Sequence, residues 1–241
     1  MMRRAPLFTL LALSAAAGAG PVTTFSTAEG TTLPPPWEVI TLPKIPRHTQ
    51  YSLARVDGRV VVRAEASASY ANVVHPLDLD VGATPVLHFS WRADRFPANS
   101  DLQTRQGDDL AAKVCVLFDV PLDRLGFADR VRIELGRRLF DPKLPSATVC
   151  YVWDRQMAAG TWLPNAYTNR VRYLILRSAA AGEQGRWFDE RRDLRSDFAQ
   201  AFGKEGRGRL PPVVAIAFAT DADNTGSSAL AYYGDILLRA E

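Results

Sequence analysis

Tyr51-Ser-Leu-Ala-Arg-Val-Asp57-Gly58-Arg59-Val-Val-Val-Arg-Ala-Glu-Ala66 reads as two strands joined by a two-residue turn. Asp-Gly supplies the positive φ angles that a tight hairpin requires, and the flanking residues are β-branched or alternate apolar with polar. Once this segment is a hairpin, its neighbours fall into the same pattern. Trp37-Glu-Val-Ile-Thr-Leu precedes it and Ser69-Tyr-Ala-Asn-Val-Val follows. In Pro85-Val-Leu-His-Phe-Ser-Trp-Arg the alternation is clean: Leu87, Phe89 and Trp91 face one way, His88, Ser90 and Arg92 the other.

Further strands are expected at Lys113-Val-Cys-Val-Leu-Phe, Thr148-Val-Cys-Tyr-Val-Trp, Val171-Arg-Tyr-Leu-Ile-Leu-Arg, near Trp187, at Val213 to Ala219 and at Ala231-Tyr-Tyr-Gly-Asp-Ile-Leu-Leu. Residues 120–146, rich in Pro, Arg and Asp, show no readable period. One helix stands out, capped by Asp193, with Leu194, Phe198 and Phe202 on one face and Gly203 at its end. Many short strands with one short helix specify an all-β fold. The expectation is a jelly-roll-like β-sandwich of about ten strands after a cleaved signal peptide.

The signal peptide is read from residues 1–19: Arg3 and Arg4, an apolar run from Leu7 to Leu13, then the small residues Ala17-Gly18-Ala19. The run is shorter than the roughly 20 residues of a spanning helix, so no transmembrane segment is expected in the mature chain, which is placed in the periplasm or outside the cell. Residues 20–36, Thr- and Pro-rich and ending Pro34-Pro35-Pro36, read as a linker or extended arm. Residues 37–241 make a single domain. The leader carries two Arg and no acid, so its removal lowers the formal charge from +3 to +1. The remaining basic residues are interspersed with acids and form no basic stripe, so no nucleic-acid partner is expected. Cys115 and Cys150 each lie in a strand. In an exported chain they are a candidate disulfide, the other reading being two buried thiols.

Candidate chemistry concentrates in Asp221-Ala-Asp223-Asn224-Thr225-Gly226. Oxygen-rich side chains around a tight turn suit a hard cation such as calcium, with Asp221, Asp223 and Asn224 as ligands. The loop is not an EF-hand: Thr225 stands at the fifth position, and Tyr232 stands where the bidentate Glu belongs. An Asx-turn loop with no ion fits the same residues. Asp109, from the pair Asp108-Asp109, shares the parity of Lys113 and joins the candidate set with Arg92. In the last strand, parity puts Tyr233 and Asp235 on one face and Tyr232, Ile236 and Leu238 on the other. The second set reads as core, which turns Tyr233 and Asp235 toward a cleft. No G-x-S-x-G nucleophile motif is present, and His48, His75 and His88 lack ligand spacing. Trp153, Trp162, Tyr167 and Trp187 are candidates for stacking on sugar rings or for the core.

At Asp108-Asp-Leu-Ala-Ala-Lys-Val, Tyr151-Val-Trp-Asp, Asn165-Ala-Tyr and Thr220-Asp-Ala-Asp-Asn-Thr-Gly through Tyr233-Gly-Asp-Ile, the chain resembles a bacterial family of exported proteins catalogued as a domain of unknown function, number 3047. The resemblance spans roughly residues 37–239. It implies an envelope protein with a β-sandwich domain, and it brings no catalytic residues with it. The ending Tyr-Gly-Asp-Ile-Leu-Leu is also similar to the final strand of many jelly-roll carbohydrate-binding modules. The leading expectation is an exported protein that binds a carbohydrate or another envelope ligand, without a cofactor unless calcium occupies the acidic loop. The alternatives are a polysaccharide hydrolase or lyase using Asp109, Asp221, Asp223 and Asp235, and a structural or interaction protein of the envelope.

Overall fold

The computed structural model describes residues 22–83, 85–139 and 144–240; the leader expected at residues 1–19 lies outside them. The described residues hold twelve strands: β1 (Glu38–Ile40), β2 (Gln50–Val56), β3 (Arg59–Ser67), β4 (Asn72–Leu79), β5 (Val86–Arg95), β6 (Ala112–Phe118), β7 (Ala147–Asp154), β8 (Trp162–Asn165), β9 (Thr168–Ser178), β10 (Phe188–Asp193), β11 (Val213–Ala219) and β12 (Ser228–Arg239). Two helices join them, α1 (Phe127–Leu139) and α2 (Leu194–Phe202). A seven-stranded sheet of order β1-β4-β11-β6-β7-β9-β8 packs on a five-stranded sheet of order β10-β5-β12-β3-β2. The fold is a jelly-roll-like β-sandwich, with two strands and one helix more than the sequence pattern suggested.

The hairpin forms as its turn residues dictate: Asp57 and Gly58 both take positive φ, 48° and 77°, and Val56 pairs with Arg59. On β5, Leu87, Phe89 and Trp91 are buried between the sheets while His88, Ser90 and Arg92 remain half-buried on the outer face. They meet Val114, Val116 and Phe118 of β6 and Val149, Tyr151 and Trp153 of β7 in one continuous core. Trp153 is therefore a core residue. β7 and β9 run parallel, whereas every other strand pair is antiparallel.

Asp193 caps α2 by accepting the backbone N–H groups of Arg195 and Ser196. Leu194, Phe198 and Phe202 form the buried face of α2. The extra helix, α1, lies in the stretch without readable periodicity. Ile133 is buried among the core, while Phe127, Val131 and Leu135 face outward. Its apolar spacing therefore carried little information about packing.

The arm before β1 is packed rather than free. Val22 and Phe25 are buried, and the Phe25 ring lies 5.1 Å from Trp37 and 5.9 Å from Phe218. Two apolar anchors suffice to dock a segment whose composition is otherwise that of a linker. Asp235 fastens the arm, accepting from Phe25 N at 2.7 Å, Ser26 N at 2.9 Å and Ser26 Oγ at 2.6 Å.

The last strand departs from simple parity. Its register against β5 shifts between Tyr233 and Ile236, and a β-bulge of this kind turns the residues on either side onto the same face. Tyr233, Ile236 and Leu238 thus all point into the core, and Tyr233 is fully buried, its hydroxyl donating to Ala219 O at 2.7 Å. At Gly234 an added Cβ would run into Ser90 Oγ, so a side chain there would require Ser90 to move. The expectation that Tyr233 and Asp235 open on a cleft is corrected: one is core and the other ties down the arm.

Candidate functional site

A sandwich strand has one face toward the core and one away from it, and the outer face of the seven-stranded sheet is unusual. Strand β7 is buried along its whole length. Its outward residues Cys150 and Val152, with Cys115 of β6, Tyr173 and Ile175 of β9, Ala217 of β11 and the loop residues Leu102 and Leu110, form a second apolar cluster. Cys115 and Cys150 oppose one another across β6 and β7, and a disulfide joins them.

This outer face floors a cleft of about 920 Å³. Val74, Ala217, the disulfide, Leu117 and Val171 make an apolar base. Leu42, Pro43, Lys44 and Ile45, between β1 and β2, supply one wall. Polar residues gather at the other end: Lys113 from β6, Tyr173 from β9, Asn165 from β8, and Tyr70, Asp108, Tyr167, Asp221, Asp223 and Asn224 from loops.

Lys113 is buried, with Nζ 3.5 Å from Asp221 Oδ2 and 4.9 Å from the centroid of the Tyr70 ring. Burial alone would pull the ammonium pKa down. Tyr70, Tyr173, Asp221 and Asp108 outweigh it and hold the group well above the ordinary lysine value. Asp108 Oδ2 accepts from Asn165 Nδ2 at 2.6 Å, and that amide also donates to Tyr173 Oη at 2.7 Å. Burial raises the Asp108 carboxyl, against the pull of Lys113 and these donors.

The acidic loop is pinned from behind. Asp109 is fully buried and accepts from Asn224 N at 3.1 Å, Thr225 N at 2.7 Å and Thr225 Oγ1 at 2.5 Å. Gly226 completes the turn at φ 66°. Asp221 and Asp223 are left facing the cleft. Burial pushes the Asp221 carboxyl well above the usual carboxylate range; the Asp109 and Asp223 carboxylates push the same way, and Lys113 opposes them. Asn224 turns its amide to Arg105 O at 2.6 Å and Tyr167 Oη at 3.0 Å. Tyr167, 54% exposed, stands at the mouth with the Arg105 guanidinium 5.2 Å from its ring centroid.

Of the residues singled out from sequence, Asp109, Lys113, Asp221, Asp223 and Asn224 meet at one end of the cleft. Arg92 does not: it lies on the other sheet, paired with Asp94 at 2.6 Å and Asp57 at 3.0 Å. Trp187 is beside it, donating to Asp57 Oδ2 at 2.9 Å. Tyr233 and Asp235 are likewise outside the cleft. Tyr70, Asn165 and Tyr173 belong to the site without having been singled out. A faint signal for them existed, since Tyr173 shares the strand face of Val171, but only strand order shows which face the cleft occupies. His48 is exposed, His75 is in the core and His88 lies on the outer face of β5, so the histidines form no cluster.

The family model described as "Protein of unknown function (DUF3047)" matches residues 35–237. No curated protein matches the chain. Among solved structures, the chain is similar to an agarase, AgWH50C, at 12% identity and a TM-score of 0.36, covering 92% of this chain and 26% of the agarase. It is also similar to Trichoderma harzianum endoglucanase 3, of family GH12, at 7% identity and a TM-score of 0.42, covering 87% of this chain and all of that one. Likenesses this loose carry no inference about chemistry. Among the described residues no helix is long and apolar enough to cross a membrane.

Proposed function

We propose, for a chain that belongs to the DUF3047 family of proteins of unknown function, that it is an exported envelope protein binding a carbohydrate in the cleft of its seven-stranded sheet. The observation that carries this reading is the division of the cleft into an apolar floor and a polar end. A pyranose ring has C–H faces that seek apolar surface and a rim of hydroxyls that seeks fixed donors and acceptors. The cleft offers Val74, Leu117, Val171 and the disulfide to the faces, and Asp223, Asn165, Lys113 and the phenols of Tyr70 and Tyr173 to the rim. Its volume falls within the roughly 300–1,000 Å³ of small-ligand sites. Tyr167 provides an exposed ring at the entrance.

The geometry favours binding over glycoside hydrolysis. Oxygens of Asp109, Asp221 and Asp223 lie within 4.8 Å of one another. In glycosidases acid and base flank the scissile bond with the sugar between them, whereas these three acids crowd together at one end of the cleft. Asp109 is moreover occupied by the loop. Lys113, held protonated, serves a bound ligand as a cation and not as the base of an eliminating lyase. Placement in the periplasm or outside the cell rests on the leader sequence and on the disulfide, a bond that persists in oxidising compartments.

Calorimetric titration of the folded mature chain against bacterial cell-wall and plant polysaccharides tests the proposal. Binding to at least one glycan is expected, weakened tenfold or more by Tyr167→Ala or Asp223→Asn. No heat from any glycan across the panel overturns it. Mass spectrometry of the exported chain, showing an N-terminus near residue 20, tests the compartment.

A further inference from the structure

We propose that Asp109, Asp221 and Asp223 form a binding site for a hard divalent cation of the calcium class in the wall of the cleft. Three independent features converge there. The first is proximity: one oxygen from each carboxylate lies within 4.8 Å of those of the other two. The second is an unmet acceptor. Asp221 is 95% buried; its Oδ2 faces Lys113 at 3.5 Å, while its Oδ1 is buried without any hydrogen-bond donor, and the Asp109 and Asp223 carboxylates press on the same group. A buried oxygen of this kind carries the full cost of desolvation unless something supplies positive charge. The third is charge balance. Lys113 is one cation against three carboxylates, with Asp108 a fourth acid close by, and unpaired buried charge is costly.

The surrounding chain suits a cage that exists before the ion arrives. Asp109 holds the loop through Asn224 N, Thr225 N and Thr225 Oγ1, which fixes Asp221 and Asp223 relative to it. All the protein donors are carboxylate oxygens, the ligand type of hard cations, and no nitrogen or sulfur is offered to a softer metal. The ligand set differs from the one expected along the loop. Asn224 turns its amide nitrogen to Arg105 O and Tyr167 Oη, and Asp109, distant in sequence, joins Asp221 and Asp223 in the cluster. Asp221 and Asp223 also line the cleft, so the ion would sit where its remaining positions are open to water or to ligand oxygens.

The test uses the folded mature chain stripped with EDTA, without any glycan, so its result is separate from that of the carbohydrate reading. Calcium chloride is added in calorimetry and in thermal unfolding. The expected result is one ion per chain and a melting temperature that rises with calcium, as binding to the folded state alone requires. Asp221→Asn and Asp223→Asn should each weaken binding at least tenfold, whereas Asp94→Asn, on the other sheet, should bind as the parent does. Asp223 is only half-buried, so its variant remains informative if Asp221→Asn does not fold. Two results overturn the proposal: a melting temperature that responds to pH but not to calcium, magnesium or manganese, which would mean the carboxyls share a proton; or calcium binding that survives both substitutions.

Discussion

Asp197 in α2 and Asp221 after β11 are both carboxylates at the surface of the core, 2% and 5% exposed, yet their surroundings are opposite. Asp197 is saturated. Arg192 approaches it with Nε at 2.9 Å and a second nitrogen at 2.5 Å, and Tyr151 Oη donates at 2.8 Å. That one acid ties β7, β10 and α2 together. Asp221 has a single lysine at 3.5 Å, an oxygen with no donor, and two further carboxylates for company. Equal burial therefore does not mean equal purpose. A buried acid surrounded by donors is a fastening, and a buried acid left short of donors beside a cleft marks a place for something else.

The contrast is broken most directly at the fastening. Asp197→Ala leaves Arg192 and the Tyr151 hydroxyl without their acceptor, and should cost on the order of 3–5 kcal/mol in urea unfolding. A loss under about 1 kcal/mol would remove the distinction between the two acids. Asp109→Ala lies between the cases, because Asp109 is saturated by the loop and is also part of the cluster. It should destabilise by about 2–4 kcal/mol, as expected for lost hydrogen bonds to a charged acceptor, and should also abolish calcium binding; retained calcium affinity would take Asp109 out of the site.

His75 tests a third kind of buried polar group, one satisfied only when neutral. Its Nε2 accepts from Thr23 N at 3.1 Å while Nδ1 donates to Pro76 O at 2.9 Å. A second proton would set two N–H groups against each other. Burial holds its pKa below the ordinary value, so as pH falls the unfolded chain takes up the proton first, near pH 6.5. Stability is then complete above about pH 6.5 and declines on acidification toward the folded-state pKa. Comparing the pH dependence of unfolding for the parent and His75→Gln cancels the common carboxylates, and the parent should lose more stability between about pH 6.5 and 5. Parallel curves would exclude His75 as a contributor. A smaller loss than at Asp197 is expected for Asp221→Asn, since the amide keeps the side-chain shape, Oδ1 has no donor to lose, and Lys113 keeps Asp108 nearby. A loss as large as that at Asp197 would make Asp221 a fastening as well.

Much of the architecture was legible along the chain. Asp57-Gly58 announces its hairpin, Leu87, Phe89 and Trp91 announce an inner face, and Asp193 announces the start of α2; each depends on a few adjacent residues. The α1 segment was not legible, because the frequent Pro, Arg and Asp residues around it leave the period ambiguous, and Phe127, Val131 and Leu135 face away from the core. The site was half legible. Asp221, Asp223 and Asn224 are neighbours in one loop, and Lys113 is conspicuous in an apolar strand. Asn165 and Tyr173 reach them only because β9 pairs in parallel with β7 and carries β8 to the sheet edge, while Tyr70 arrives from the loop before β4.

What the chain's own order of residues determined was local: turn angles, the alternation of strands, a helix cap and the acidic loop, all set by interactions across a handful of positions. Tertiary structure alone decided the rest. The bulge at Gly234–Asp235 turned Tyr233 into the core, β-sheet order set Asp109 behind Asp221 while leaving Arg92 on the far side, and burial stripped water from one oxygen without supplying a donor. The physical reason is that propensities act over a few residues. The cost of a buried charge instead depends on every group that folding brings around it, however distant in sequence.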